Sequence, residues 1–318
     1  MVDSDLFSFP LLIDIVDADL AVKAQVDADD IVFTGKTGSV LSHEIERFDG
    51  ATGGLVAWVN IPYISSLEST AVYMYYGNPS CGNQEDIGGT WSSEFMTVHH
   101  LNEDWSTVSD HFIDSTSYGH DGTLSDGDAD SMSDSGMIGD GFRFSGDGDM
   151  IDIGVVDHGQ PISFSCWLKA DEIDFNGCAL GRFYFGYFLG TWNSGSGVLR
   201  HNVYVDGNVL YNVEGGVLSD EWYYLSVSYD GSVVRYYVNG VEVGSRSVSG
   251  SLSNTNYRWH IGDDGHGGFP FDGVVDEVRI ANFCFSADWF NACFDNVISD
   301  DFYVVGGEED QSISSPLV

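Results

Sequence analysis

Phe271-Asp-Gly-Val-Val-Asp-Glu-Val-Arg-Ile280 is an apolar run broken by Asp276 and Glu277, and it reads as a strand closing a sheet. About forty residues upstream stand Trp222-Tyr-Tyr-Leu-Ser-Val-Ser-Tyr-Asp-Gly231 and Val233-Val-Arg-Tyr-Tyr-Val-Asn-Gly240. Two β-branched and aromatic strands turn there on Asp230-Gly231, and the second ends at Asn239-Gly240, a strong short-range hairpin signal. A strand pair followed by a closing strand with acidic residues inside an apolar run points to an antiparallel β-sandwich.

The chain of 318 residues is long enough for two domains. It holds 39 glycines and 14% aromatic residues, with few sustained helical periods, so many short strands joined by Gly, Asn and Asp turns are expected. Fifty acidic residues stand against 11 basic ones, a net charge of −39. That balance excludes nucleic acid and anionic membrane surfaces as partners, because both need basic patches. No apolar stretch is long enough to span a bilayer and no signal peptide is present. Met1 precedes what reads as mid-domain sequence, so an exported parent protein and an extracellular or cell-surface location are expected. The cysteines Cys81, Cys166, Cys178, Cys284 and Cys293 allow two disulfides or five thiols, with Cys166 and Cys178 placed on one hairpin.

Residues 1–92 read as a small β-domain, with strand-like runs at Phe9–Ile15, Asp30–Phe33, Ser42–Phe48, Gly54–Ile61 and Thr70–Tyr76. Residues 93–307 read as a larger jelly roll. Ser286 is a plausible N-cap for a short helix after its last strand. Residues 308–318 form an acidic, Ser-rich linker tail.

Two resemblances refine this outline. Val98–Glu103, Asp114–Gly122, Gly141–Gly146, Ile162–Leu168 and the hairpins above resemble a laminin-G-like, concanavalin A-like sandwich. Asp30-Ile-Val-Phe33, His43-Glu-Ile-Glu46, Leu55–Val59 and Tyr75-Tyr-Gly-Asn78 resemble a prokaryotic surface-protein domain of unknown function, here without its usual first strand. That lack implies a bare sheet edge. The expected fold class is thus all-β, a small N-terminal β-domain followed by a concanavalin A-like antiparallel β-sandwich. The sandwich resemblance also implies a structural Ca²⁺ beside the closing strand. Carried onto this chain, its ligands are Asp276, Asn102 or Glu103, and Gly141, oxygen donors suited to a hard cation.

Local catalytic motifs fail residue by residue. Glu172-Ile-Asp174-Phe-Asn176-Gly177 is similar to the Glu-Ile-Asp-x-x-Glu strand of laminarinase-type glycosidases, but neither Asn176 nor Gly177 supplies the second carboxylate, so a loop is expected. His43-Glu44-Ile45-Glu46-Arg47 starts like a zincin motif and lacks the second histidine. Asp126–Ser131 starts like an EF-hand loop and lacks its later ligands. His99 and His100 are read as structural.

Strand parity places Ile162, Phe164, Cys166 and Leu168 on a core face and Trp167 and Lys169 on the other. Tyr224, Arg235 and Tyr237 share that second face. Such a face suits a glycan, with rings stacking on sugars and polar groups bonding hydroxyls. Trp192 is expected at its rim. The expected function is noncatalytic recognition or adhesion through a polysaccharide or glycoprotein glycan. The alternatives are a filament or surface-layer subunit assembling by strand addition, with neighbouring domains or copies as partners, and, more remotely, a glycan hydrolase or lyase.

Overall fold

The computed structural model describes residues 2–103, 111–125, 132–157, 159–173, 175–182, 186–193, 197–252 and 257–308. The first unit comprises β1 (Leu6–Val16), α1 (Ala18–Lys23), β2 (Val32–Gly35), β3 (Val40–Leu41), β4 (His43–Asp49), β5 (Gly54–Ile64) and β6 (Val72–Tyr75). Its strands form two sheets, β1-β5-β4 and β3-β2-β6. A linker with the short α2 (Ile87–Thr90) follows.

The second unit opens with β7 (Phe95–His99), β8 (Thr123–Ser125), β9 (Met132–Ser135), β10 (Asp140–Ser145) and β11 (Met150–Gly154). It continues with β12 (Ile162–Ala170), β13 (Gly177–Arg182), β14 (Tyr187–Trp192), β15 (Val198–Val205) and β16 (Asn208–Gly215). Then come β17 (Trp222–Tyr229), β18 (Val233–Val238), β19 (Val241–Ser247), β20 (Trp259–Ile261), β21 (Asp272–Ala281) and α3 (Ala287–Ile298). One sheet runs β19-β18-β17-β12-β21-β10-β9, with β7 also on β21. The other runs β16-β15-β14-β13-β20-β11-β8. Every strand pair is antiparallel.

Turn chemistry follows the residues. Asn239 and Gly240 both have positive φ and join Val238 to its partner Val241, a two-residue turn whose twist matches its strands. The sandwich core takes one parity of each strand: Phe164, Cys166 and Leu168 from β12, Leu225 and Val227 from β17, Val234 and Tyr236 from β18.

The opposite parity belongs to a second core. There Trp167, Tyr224 and Tyr237 pack with Leu6, Phe9, Leu12 and Trp58 of the first unit and with Trp289 and Phe290 of α3. The outer face of the β12-β17-β18 sheet is therefore the seat of the helix and of the first unit. The Ser286 hydroxyl does cap α3, accepting from Trp289 N at 3.2 Å.

Two expectations about covalent and edge structure change. All five cysteines are free thiols, and Cys166 and Cys178 lie on strands of opposite sheets rather than on one hairpin. The β1 edge is covered. Leu12 N donates to Asn296 Oδ1 at 2.8 Å and Asn296 Nδ2 donates to Leu12 O at 3.1 Å. The Tyr303 hydroxyl meets Asp14 N and O, each at 2.9 Å. Among the described residues, β6 pairs only with β2. Glu172, Ile173, Phe175 and Asn176 lie between β12 and β13, outside any strand, as their loop reading expects. Asp174, Asp126–Ser131 and the tail after Glu308 lie outside the described residues.

Candidate functional site

The expected glycan platform on β12, β17 and β18 is not a surface. Trp167 is 3% exposed, Tyr224 3% and Tyr237 0%. Parity put these rings on the outer face correctly, but α3 covers them. Trp167 stacks on Phe294 at 5.5 Å and Tyr237 meets Phe290 at 4.8 Å. The polar residues of the same expectation are spent locally. Lys169 sits over the Trp222 ring at 5.3 Å, and Arg235 donates to Asp230 Oδ2 at 2.9 Å. These residues do not assemble a sugar site.

Trp192 is different. It ends β14 on the outer face of the other sheet, the side away from the first unit. Register aligns three rows there: Phe188, Asn202 and Tyr211; Gly190, Arg200 and Val213; Trp192, Val198 and Gly215. Gly190 leaves the place beside Arg200 free of a side chain. The guanidinium lies 3.9 Å from the Trp192 ring and 4.8 Å from the Tyr211 ring. Arg200 Nε also donates to Asn202 Oδ1 at 2.9 Å. Tyr211 is 46% exposed, and Val213 beside it equally so. Arg246 reaches the same place from β19, donating to Tyr211 O at 3.1 Å.

A pinned loop completes the row. The buried Asp263 accepts from Gly265 N, His266 N and Gly267 N through Oδ1, and from Phe269 N through Oδ2. This holds Phe269 against Trp192, with centroids 5.7 Å apart and planes at 24°. Phe269, Trp192, Arg200 and Tyr211 thus form one ladder of rings and guanidinium whose Tyr211 end meets solvent. A half-buried arginine between rings gains cation–π attraction and holds both rings in place.

A second cluster occupies the joint between the units. His100 Nδ1 lies 2.5 Å from Glu277 Oε1 and 3.6 Å from Glu46 Oε2, and Nε2 lies 3.4 Å from Glu44 Oε2. Trp58 Nε1 donates to Glu46 at 2.8 Å, Trp91 Nε1 to Glu44 at 2.7 Å and Ser115 Oγ to Glu44 at 2.7 Å. Arg279 donates to Glu277 Oε2 at 2.6 Å and lies over both Trp58 and Trp91. Burial, with the Glu277 carboxylate adding to it, pushes Glu46 up to about 7 against the pull of His100. Burial alone would lower His100, but Glu277, Glu44 and Glu46 lift it well above its usual value. Glu277 is raised by burial, yet His100 and Arg279 outweigh that and hold it below the usual range.

Glu277 reaches this joint through a bulge. Trp167 pairs with Asp276 and Ser165 with Arg279, so Glu277 and Val278 together oppose Cys166. Glu277 takes the left-handed conformation, φ 51°. The extra residue sends Asp276, Glu277 and Arg279 all toward the first unit while Val278 still enters the sandwich core.

Of the residues expected to hold calcium, Asp276 and Glu103 each accept from backbone through one oxygen. Asp276 Oδ2 accepts from Met137 N at 2.7 Å and Ile138 N at 2.9 Å. Burial first, then Glu277, pushes the Asp276 carboxyl well up. Glu103 Oε1 accepts from Ile113 N at 2.7 Å. Gly141 lies in β10 beside β21, and Asn102 follows β7 in a loop. The convergent group of three potential metal donors among the described residues is instead Glu46, His100 and Glu277. Of these, Glu46 entered the sequence reading in the failed zincin-like motif and in the resemblance of the first domain, and His100 as a structural residue.

Comparison with known proteins agrees with the two-part architecture. Residues 145–289 match a family model described as the concanavalin A-like lectin/glucanases superfamily. Residues 27–115 match a domain of unknown function, DUF2341. No functionally curated protein matches the chain. Among solved structures, the binding domain of Paraclostridial Mosquitocidal Protein 1 aligns with a TM-score of 0.51 and 12% identity, over 65% of this chain and 53% of that one. Domain 4 of an extracellular GH43 arabinanase from Geobacillus stearothermophilus, in complex with arabinotriose, aligns at 0.46 and 19% identity, over 62% and 97%. The botulinum neurotoxin serotype D ligand-binding domain, in complex with N-acetylneuraminic acid, aligns at 0.48 and 12%, over 66% and 52%. The chain thus spans about half the length of the two toxin domains. At 12% identity the likeness to the mosquitocidal protein's domain speaks to fold alone.

Proposed function

We propose that the chain is a noncatalytic carbohydrate-binding module acting outside the cell, and that its sugar-binding face is the outer side of β14, β15 and β16. One observation carries this reading: the ladder of Trp192, Arg200 and Tyr211, open to solvent at Tyr211 and rigid on its sheet. A ring held flat at a surface offers an apolar platform to the C–H face of a sugar, and neighbouring guanidinium groups bond hydroxyls at its edge. The match of the sandwich to a superfamily of lectins and glucanases supports the same class of ligand. Binding at one such shallow face is weak, so repeated copies or a multivalent glycan would set the useful affinity.

The test is a glycan array followed by affinity electrophoresis with the wild-type chain and Tyr211→Ala. Tyr211 is exposed, so its truncation should leave the melting temperature unchanged while weakening retention by about tenfold, as expected for loss of roughly 1–1.5 kcal/mol of stacking. Retention of a glycan with equal strength by both proteins would move the site elsewhere, and no retention of any glycan would end the reading.

A second reading, assembly by strand addition, is favoured by the outer edge of β6, which has no strand partner among the described residues and exposes Tyr73. Sedimentation at rising concentration without glycan separates the two.

A further inference from the structure

We propose that Glu46, His100 and Glu277 form a binding site for a divalent transition-metal ion, zinc being the type case, that ties the first unit to the sandwich. The three donor atoms come from three separate segments and lie within 4.8 Å of one another. Tetrahedral ligation at about 2.0–2.2 Å sets donor atoms roughly 3.3–3.6 Å apart. The 3.6 Å between His100 Nδ1 and Glu46 falls in that range, and the 2.5 Å to Glu277 needs a shift of under about 1 Å.

Each donor is also held by a neighbouring group, as metal ligands are. His100 turns its Nε2 toward the Glu44 carboxylate, which Trp91 and Ser115 fix in turn. Trp58 Nε1 holds Glu46 through Oε2, the oxygen that faces His100, and Arg279 holds the far oxygen of Glu277. One nitrogen with two carboxylates suits zinc, manganese or iron(II) better than calcium, which prefers oxygen alone.

Charge and strain point the same way. The acidic side chains of Glu44, Glu46, Asp276 and Glu277 crowd the joint, with Arg279 beside Glu277. Asp276 Oδ1 is buried with no hydrogen-bond partner among the described residues. The left-handed Glu277 is a non-glycine residue held in a costly conformation, and that conformation is what delivers its carboxylate to the joint.

The experiment uses the full chain, stripped of metal with a chelator, then titrated with Zn²⁺ and with Co²⁺ and read by metal analysis, calorimetry and visible absorption. One equivalent of zinc should bind and raise the melting temperature. Cobalt should show a nitrogen/oxygen spectrum without the intense thiolate bands that the five free cysteines would produce. Glu46→Gln, which preserves shape and the Trp58 hydrogen bond, should weaken zinc binding by at least tenfold while the stripped protein melts as before. Absence of stoichiometric binding at millimolar zinc, a thiolate spectrum, or unchanged zinc affinity in Glu46→Gln would each overturn the site, and His100 would then stand as an imidazolium bridging Glu44 and Glu277.

Discussion

His201 shows how much one residue's surroundings govern its chemistry. It points inward from β15, fully buried, with Nε2 3.0 Å from the backbone oxygen of Tyr237. Burial pushes it down to about 4 from 6.5. A histidine depressed in this way is neutral in the fold, so its contribution is complete above pH 6.5. It is lost progressively as pH falls from there through about 4, where the unfolded chain takes up the proton and the folded one resists. The loss over that window is on the order of 3 kcal/mol. Urea midpoints measured at pH 7.5 and pH 4.5 should therefore fall further in wild type than in His201→Gln. Equal falls in the two proteins would show that the imidazole is charged or solvated in the fold. The residue scale is also where sequence reading was weakest. Period-two alternation assigns Glu277 to the core and cannot foresee that a positive φ turns it to the other side. Glu44 and Glu46 looked like fragments of a failed motif because their partner, His100, is brought to them only by tertiary folding.

At the scale of strands and helices, legibility improves and its limits have a clear cause. The Asp230-Gly231 and Asn239-Gly240 turns, the parity of β12, β17 and β18, and the Ser286 cap all follow from local chemistry. What alternation cannot tell is whether the face away from one core meets water or a second core. Trp167 and Tyr237 were expected to face a sugar because their neighbours are serine and arginine, a pattern that also fits a half-polar interface. The part of the other sheet's outer face that meets solvent, at Tyr211 and Val213 of β16, carried a readable signal in Arg200, Asn202, Tyr211 and Val213 on alternating positions around Asp206-Gly207. The β1 edge offers a direct test. The Asn296 amide supplies one donor and one acceptor to Leu12, acting as a one-residue substitute for a neighbouring strand. Asn296→Ala leaves both backbone groups buried without partners, at a cost of about 1–3 kcal/mol. Chemical denaturation should show that loss, and hydrogen exchange should show Leu12 released from protection. An unchanged Leu12 exchange rate would mean that water replaces the amide at no cost.

The molecule as a whole has two cores, one inside the sandwich and one shared between the sandwich and the first unit. Trp167, Tyr224 and Tyr237 belong to the sandwich by sequence and to the joint by packing. A protein cut down to residues 93–307 should therefore expose that face wherever the first unit covered it. It should bind a hydrophobic dye, associate with itself and unfold at lower temperature than the full chain, which should melt in a single transition. A full chain that melts in two well-separated steps would contradict this coupling.

The first unit and the Trp192 ladder occupy opposite sides of the sandwich. The joint therefore gives the module a fixed back and a fixed front. Ring-bearing fronts on neighbouring copies would all look in a direction set by their backs, through the core the two units share. If the ladder binds glycan as proposed, long polymers lying in one plane would meet many of them at once, whereas a sugar approaching from behind would meet the first unit and α3.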